Sequence, residues 1–405
     1  MKIVEGSYNK ATIFTDNFDD STKVQVVQLL NQEFVKDLKI RIMPDCHAGA
    51  GCVIGTTMTL IDKVVPNLVG VDIGCGMLIV KLGKINIELI SIDKFISENI
   101  PNGKNVHGEE QEIEIDITKL KCWSNLDKHT YYYKSMGSLG GGNHFIEIDL
   151  DEDKNKYLII HSGSRNLGLK VAEYYQEKAI EYHQNKIFNK REVIEDTIKE
   201  YKEQGKEKDL QKKIKEINQM NIKLTIPKDL CYLEGELFDD YIHDIKIASQ
   251  YASENRKRIA EAILKKLKLK LSKLEYFETI HNYVNTNDMI LRKGAISAYK
   301  DEIVLIPINM RDGCIIAKGK GNEDFNFSAP HGAGRILSRA KAKDVISLKD
   351  FKDSMNGIYS STISKDTIDE SPFVYKTIDE IINNINETVE VIKIIKPIYN
   401  FKAQE

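Results

Sequence analysis

Several absences narrow the problem before any motif is considered. The six cysteines, at 46, 52, 75, 122, 231 and 314, include no Cys-x-x-Cys pair, so a zinc ribbon lacks its ligands. They are also too sparse for the disulfide framework of a secreted domain, and reduced cytosolic thiols are expected. No charge-free apolar run is long enough to span a bilayer; the stretch from Cys46 to Ile61 is uncharged but full of Gly and Thr. The opening residues Met1–Gly6 lack the apolar core of a signal peptide. These features predict a cytoplasmic protein with no membrane partner. Neither sign of charge dominates: 58 Lys and Arg against 61 Asp and Glu leave a net charge of -3. A globally basic nucleic-acid binder is thereby excluded, and any polyanion must meet a local basic patch.

The common phosphate-binding signatures are missing as well. There is no Gly-x-x-x-x-Gly-Lys-Ser/Thr and no Gly-x-Gly-x-x-Gly, which excludes a P-loop and a Rossmann fingerprint. Nor is there a Lys-x-Asp-Gly motif with a lysine nucleophile: in the nearest match, Arg311-Asp312-Gly313, Met310 stands where the lysine would be. A covalent nucleotidyl intermediate on this chain would need another nucleophile.

What is present is an ordinary globular composition, 41% apolar and 29% charged, over 405 residues. That is ample for a core and unlike a disordered or collagenous chain. Glycines cluster at 48–55, 70–76, 137–142, 163–168, 313–321 and 332–334. Short β-branched runs flank most clusters: Lys39–Met43, Val53–Leu60, Met77–Leu82, Phe145–Ile148, Tyr157–Ile160, Ile303–Ile308 and Cys314–Ala317. The pattern predicts strands that end in tight glycine turns, where backbone can approach a ligand closely. The middle differs. Leu167–Asn221 is rich in Lys, Glu, Gln and Ile, with helical stripes at Ile194, Ile198, Tyr201 and at Leu210, Ile214, Ile217 on either side of Gly205; it predicts a charged helical hairpin. Asp239–Lys268 predicts a long helix, and Ile378–Ile395 has a helical pattern too. Strands at both ends and helices between them predict an α+β fold. No linker divides the chain, so one domain over 1–405 is expected, with a charged helical insertion at about 167–268.

Four histidines lie in distinctive settings: His144 after Asn143 and the Gly140–Gly142 run, His161 directly after an apolar run, His281 before Asn282-Tyr283, and His331 before Gly332-Ala333-Gly334-Arg335. Asp72 and Cys75 share the glycine turn Gly70–Gly76. Two ligands three residues apart in such a turn can converge on one point, and a thiolate can bridge two cations because sulfur has spare lone pairs. With imidazoles they make a set that Mn, Zn or Co would accept. The plainer alternative is a buried cysteine in a turn with Asp72 as a local cap. His144, His161 and His281 have a plain alternative too, as hydrogen-bonded edge residues. His47 in Met43-Pro44-Asp45-Cys46-His47 suits a supporting or turn role. A neutral imidazole can attack phosphorus, and His331 has room for such an adduct beside Gly332; the alternative is an ordinary turn histidine.

In this order the motifs resemble the RtcB family of RNA ligases. The matching segments are Met43-Pro44-Asp45-x-His47, Gly70–Met77, Gly140–Glu147, His161–Arg165, His281–Tyr283 and Ser328–Arg335. Arg292–Ala295, Tyr375-Lys376-x-Ile378-Asp379, Tyr232–Gly235 and Phe238–Tyr241 match as well. The resemblance runs from about residue 40 to the C-terminus. It implies an RtcB-like fold, with mixed and antiparallel sheets around a dimetal centre. It also implies an enzyme that uses GTP and two manganese ions to join an RNA 3′-phosphate or 2′,3′-cyclic phosphate to a 5′-hydroxyl, in tRNA splicing or RNA repair. By the same resemblance Asp72, Cys75 and His144 would hold one metal, and Cys75, His161 and His281 the other. His331 would carry GMP. Asn143, Glu147, Tyr375 and Lys402 would contact the nucleotide, and Arg165 and Arg335 phosphate near the RNA ends; Arg292 and Lys293 join these two as candidates for the local basic patch that a net charge of -3 requires for binding RNA. An archease-type activator is a further partner to be tested. Two departures stand out. Ile306–Gly313 replaces a Gly-Ser-Met-type segment whose serines help recognise guanine, and Ala50 stands where many members have Lys. Two other functions compete: a dimetal phosphodiesterase that opens cyclic phosphates without sealing, and a non-catalytic RNA-binding protein.

Overall fold

The computed structural model describes residues 1–220 and 222–404. Two sheets organise the chain. One has six strands and mixed pairing, with Ile40–His47 and Ile54–Thr59 at its centre. The other has seven strands, all antiparallel. Across it run Tyr276–Ile280, Gly76–Gly83, Lys156–Ser162, Phe145–Leu150, Val389–Lys402, Gly313–Gly319 and Ile303–Asn309. The fold is α+β.

The seven-stranded sheet is buried on both faces, which is why its strands read as near-continuous apolar runs. Leu78, Val80, Leu158, Ile160, Ile146 and Ile148 face one way and pack with Ile259, Ala260, Ile263 and Leu264 of the helix Glu236–Lys266. Met77, Ile79, Phe145, Tyr157 and Ile159 face the other way, with Leu305, Cys314, Ile316 and Ile395. A fully buried aliphatic side chain contributes about 1.5–3 kcal/mol, so this two-sided packing holds the strand ends firmly in register. Register then sets the chemistry. His161 pairs with Met77 on one side and Phe145 on the other, Lys402 pairs with Phe145, and Asn400 with Glu147. The period of two places these residues on the second face.

The helical middle forms three helices before the long one: Arg165–Ile187, Lys190–Glu203 and Glu207–Gln219. The last two make the charged hairpin, turning at Gly205 in the left-handed region, φ 67°. Asn221, at the end of the expected helical stretch, lies outside the described residues. The tail departs from expectation. Only Ile378–Ile385 is helical, and Val389–Lys402 is a strand. The β-branched run Val389-Glu390-Val391-Ile392 can satisfy either period. Pairing with both Gly313–Gly319 and Phe145–Leu150 resolves it in favour of strand.

Candidate dimetal and nucleotide site

The glycine turns at the strand ends bring the chemistry together. Cys75 Sγ lies 3.4 Å from His144 Nε2 and 3.3 Å from His161 Nε2. His144 Nε2 is also 3.1 Å from Asp72 Oδ2. The remaining ring nitrogens face backbone: His144 Nδ1 bonds Leu139 O at 2.8 Å, and His161 Nδ1 bonds Asn143 O at 3.2 Å. A carbonyl only accepts, so Nδ1 carries the proton in both rings and each Nε2 presents a lone pair inward. Nitrogen lone pairs, a sulfur and a carboxylate oxygen thus converge, an arrangement that a cation relieves. The donor set therefore fits the metal that the sequence implies.

The rings form a row. His144 and His161 centroids are 5.1 Å apart, His161 and His281 5.2 Å, and His281 and His331 4.8 Å. His281 is buried, and its Nδ1 has no partner among the described residues. Burial, then the neighbouring rings, hold His161 and His281 well below the ordinary imidazole range, which keeps them neutral as ligands must be. Burial, with Asp72 nearby, pushes the Cys75 thiol well up. Two glycines make the clearance. A Cβ on Gly163 would sit 2.1 Å from Asp72 Oδ1, and one on Gly140 2.7 Å from His144 Nδ1 and 2.1 Å from Arg165 Nη1.

His331 ends the row. Its Nδ1 is 2.7 Å from Oδ2 of the fully buried Asp45. It borders a cavity of about 470 Å³ that Asn143, Glu147, His161, Arg335, Tyr375 and Lys402 also line, a volume in the range of small-ligand pockets. Inside, Lys402 Nζ donates to Asn143 O at 2.8 Å and pairs with Glu370 at 2.8 Å. Tyr375 donates to Glu370 at 2.6 Å, and Arg335 pairs with the same carboxylate at 3.2 Å. Asn400 donates to Glu147 at 2.9 Å. Burial raises Glu147 to about 7.

The positions expected to contact nucleotide thus line one cavity with His331, and His161, on the same wall, joins it to the cluster of Cys75 and His144 behind. The four expected RNA-contacting residues divide. Arg335 lines the cavity. Arg165 lies behind Gly140, its Nε and Nη2 donating to Ser138 Oγ and Gly103 O at 2.9 and 3.0 Å. Arg292 and Lys293 need correcting. Arg292 is fully buried and donates to Ser328 Oγ, Tyr283, Tyr299 and the carbonyls of Asn326 and Phe327. Lys293 is buried and donates to the carbonyls of Ala50 and Asn67, and burial lowers its pKa to about 8. Their donors tie backbone together and offer no surface charge to a polyanion. His47 bonds Asp45 O at 3.0 Å, in keeping with a supporting role. Three site residues carried no signal of their own in the sequence: Asp45, Glu370 and Asn400. Asp45 lies inside a motif matched as a whole, and Glu370 has no pattern beyond Asp369-Glu370-Ser371-Pro372.

In the departing segment, Asn309 Oδ1 accepts from the backbone N–H of Arg311 and Asp312, and its Nδ2 donates to Asp312 at 2.8 Å. The side chain closes its own turn.

A cysteine flanked by histidines, with a further histidine held by a buried carboxylate on the wall of a cavity of small-ligand size, makes a candidate metal site beside a candidate ligand pocket. The comparisons give the family. The family model described as tRNA-splicing ligase RtcB matches residues 25–128 and 122–403, and the chain belongs to the RtcB family. It is 30% identical to the RNA-splicing ligase RtcB of Escherichia coli (strain K12), covering 90% of each chain. It is 24% identical to the tRNA-splicing ligase RtcB of Methanococcus maripaludis, covering 98% of this chain and 97% of that one. With the tRNA-splicing ligase RtcB of Aeropyrum pernix it shares 23% identity over 92% and 90%. Among the described residues no helix is long and apolar enough to cross a membrane.

Proposed function

We propose that the protein is an RNA ligase of tRNA splicing or RNA repair. It joins an RNA 3′-phosphate or 2′,3′-cyclic phosphate to a 5′-hydroxyl through a GMP adduct on His331, acting in the cytoplasm with GTP and two manganese ions. The observation that carries this reading is the 2.7 Å contact of Asp45 with His331 Nδ1, at the end of the histidine row and on the wall of the cavity. The Asp45 carboxylate accepts the Nδ1 proton, so Nε2 holds a free lone pair. It also offsets the positive charge the ring acquires once Nε2 is bonded to phosphorus.

Nε2 attacks the α-phosphorus of GTP, a P–N bond forms and pyrophosphate departs. The guanylate then passes to the RNA 3′-phosphate as the P–N bond breaks. The 5′-hydroxyl, losing its proton, displaces GMP to give the phosphodiester. A cyclic phosphate is opened by water beforehand. Asp72, Cys75 and His144 would hold one cation and Cys75, His161 and His281 the other; when bound, the pair neutralises triphosphate charge and stabilises the leaving pyrophosphate. Asn143 meets nucleotide phosphate, and Glu147, Tyr375 and Lys402 form the nucleobase end of the cavity. Arg335 and Arg165 align RNA phosphate.

The test is end-labelled RNA with the stated termini, incubated with GTP and manganese, with and without an archease. Sealed product is expected, and binding should weaken by about one logarithmic slope unit of salt per phosphate contacted. Opening of a cyclic phosphate with no sealing would identify the phosphodiesterase instead, and RNA binding without reaction a non-catalytic protein.

A further inference from the structure

Behind the ligand set, the long helix Glu236–Lys266 turns two consecutive polar residues, Asn255 and Arg256, into the sheet. Both are fully buried, among Ala252, Ile259 and Ala260. A buried guanidinium is a poor device for stability, since apolar residues of the same volume often do as well or better. Its partners show what it holds. Arg256 Nη1 donates to the carbonyls of Gly74 and Ser162, both at 2.8 Å. Gly74 precedes Cys75, and Ser162 follows His161. Asn255 Oδ1 accepts from the backbone N–H of Gly137 and Ser138 at 2.8 and 3.1 Å. Its Nδ2 donates to Ser138 O and Ser162 Oγ at 3.0 Å each, and to Gly163 O at 3.2 Å. Ser162 Oγ in turn donates to Leu139 O at 2.7 Å, the same carbonyl that fixes His144 Nδ1.

We propose that Asn255 and Arg256 are positioning residues that lock the Cys75, His144 and His161 segments at metal-binding spacing. The inference rests on the reading of those three residues as metal ligands. His161 stands in the strand ladder, paired with Met77 and Phe145, whereas Cys75 and His144 lie just outside it in their glycine turns. One rigid helix contacts all three through adjacent residues, so a shift of any turn costs hydrogen bonds on the others. Such outer contacts ordinarily set ligand orientation and metal affinity. Among the described residues the only carboxylate partner of Arg256 is Glu278, 3.2 Å from Nε. Nη1 is thus left for the two carbonyls, and Nη2 has no partner among the described residues.

The experiment uses the full chain with cobalt(II) and manganese(II) as probes. Three quantities are read: metal affinity by calorimetry, the thiolate-to-cobalt charge-transfer absorption that reports Cys75, and the rise in melting temperature on metal addition. Arg256→Met should weaken metal affinity at least about tenfold and shift or diminish the absorption. Arg256→Lys, which keeps the charge and can reach one carbonyl, should fall between it and the wild type. Ile259→Ala, a cavity in the same helix face, should lower the melting temperature of the metal-free protein yet keep wild-type affinity and absorption. Should Arg256→Met not fold, Arg256→Lys against Ile259→Ala decides by the same readouts. Wild-type affinity and absorption in a folded Arg256 variant would overturn the proposal. So would an Ile259→Ala protein that loses metal as badly as the Arg256 variants. A wild-type protein with no thiolate absorption would overturn the ligand assignment itself, and the positioning role with it.

Discussion

Two cysteine-centred clusters lie a few residues apart on the seven-stranded sheet. Cys75 sits with His144 and His161, and Cys314 with Glu147 and Asp149; each set is buried, with ligand atoms within 4.8 Å of one another. By proximity alone they look alike. Their electrostatics are opposite. In the first, backbone carbonyls take the outer imidazole protons of His144 and His161, and burial keeps His161 neutral, so its lone pair points inward. In the second, burial pushes Glu147 and Asp149 up together, with Glu147 at about 7, and the two acids relieve their desolvation by retaining protons. Buried groups that are neutral with free lone pairs await a cation. Buried acids with no cation near enough take up a proton and form a polar floor, here beneath the cavity that Glu147 and Cys314 line.

Removing the centre of the first cluster should break that contrast most severely. Cys75→Ala should lower bound manganese from two ions towards none and reduce sealing by more than about 10³-fold, whereas His281→Ala should weaken chiefly one ion. Elemental analysis with metal titration decides between the two patterns. Next in size is Asp45→Asn, which leaves the His331 ring in place but alters its proton partner. Adduct formation should fall about 10²- to 10⁴-fold with metal content unchanged, as single-turnover labelling would show.

The second cluster makes a prediction about pH. The folded value of Glu147, about 7, lies above its ordinary 4.5, so the folded state binds the extra proton. The stabilisation is complete below about pH 4.5 and is lost as pH rises through about 7. Burial and Glu147 raise the Asp149 carboxyl too, with Cys314 opposing, while the hydrogen bonds of Asp149 and Asn400 and the charge of Lys402 oppose the rise at Glu147. Glu147→Gln should therefore flatten the decline in stability between about pH 5 and 8, measured by denaturant unfolding of the metal-free protein. An unchanged slope would mean that the second cluster does not hold its protons as described. The smallest effect belongs to the charged hairpin. Lys190–Glu203 has no buried residue and Glu207–Gln219 only Ile217, while Lys190 Nζ reaches Asn218 O at 3.0 Å, so the two ends meet. Replacing 190–219 by a short Gly/Ser linker should change adduct formation by no more than about twofold to threefold.

How legible all this was in the sequence depended on the kind of signal. Strands flanked by glycine clusters were readable because apolar β-branched runs and turn residues mark both their edges. Asp72, Cys75, Asn143, His144 and His161 sit next to those turns, where clearance for a ligand demands glycine, whereas His281, Tyr375 and Lys402 have no glycine cluster beside them. The tail was misread because Val389–Ile395 is equally apolar at either period, and only its two neighbouring strands decide it. Arg292 and Lys293 looked like surface cations because charge in a sequence carries no depth; the structure spends their donors on buried oxygens. Asn255 and Arg256 were illegible for the same reason. Nothing in a helix of mixed charge marks the two positions that face backbone carbonyls rather than water.

Every later step of the proposed reaction depends on His331 carrying the nucleotide. Incubation with α-labelled GTP and manganese, followed by denaturation, tests it most directly. The wild-type protein should retain label in an acid-labile, alkali-stable bond, as expected of a phosphoramidate, and His331→Ala should retain none while still binding metal. Undiminished labelling of His331→Ala, or a wild-type protein that seals RNA without ever becoming labelled, would contradict the account.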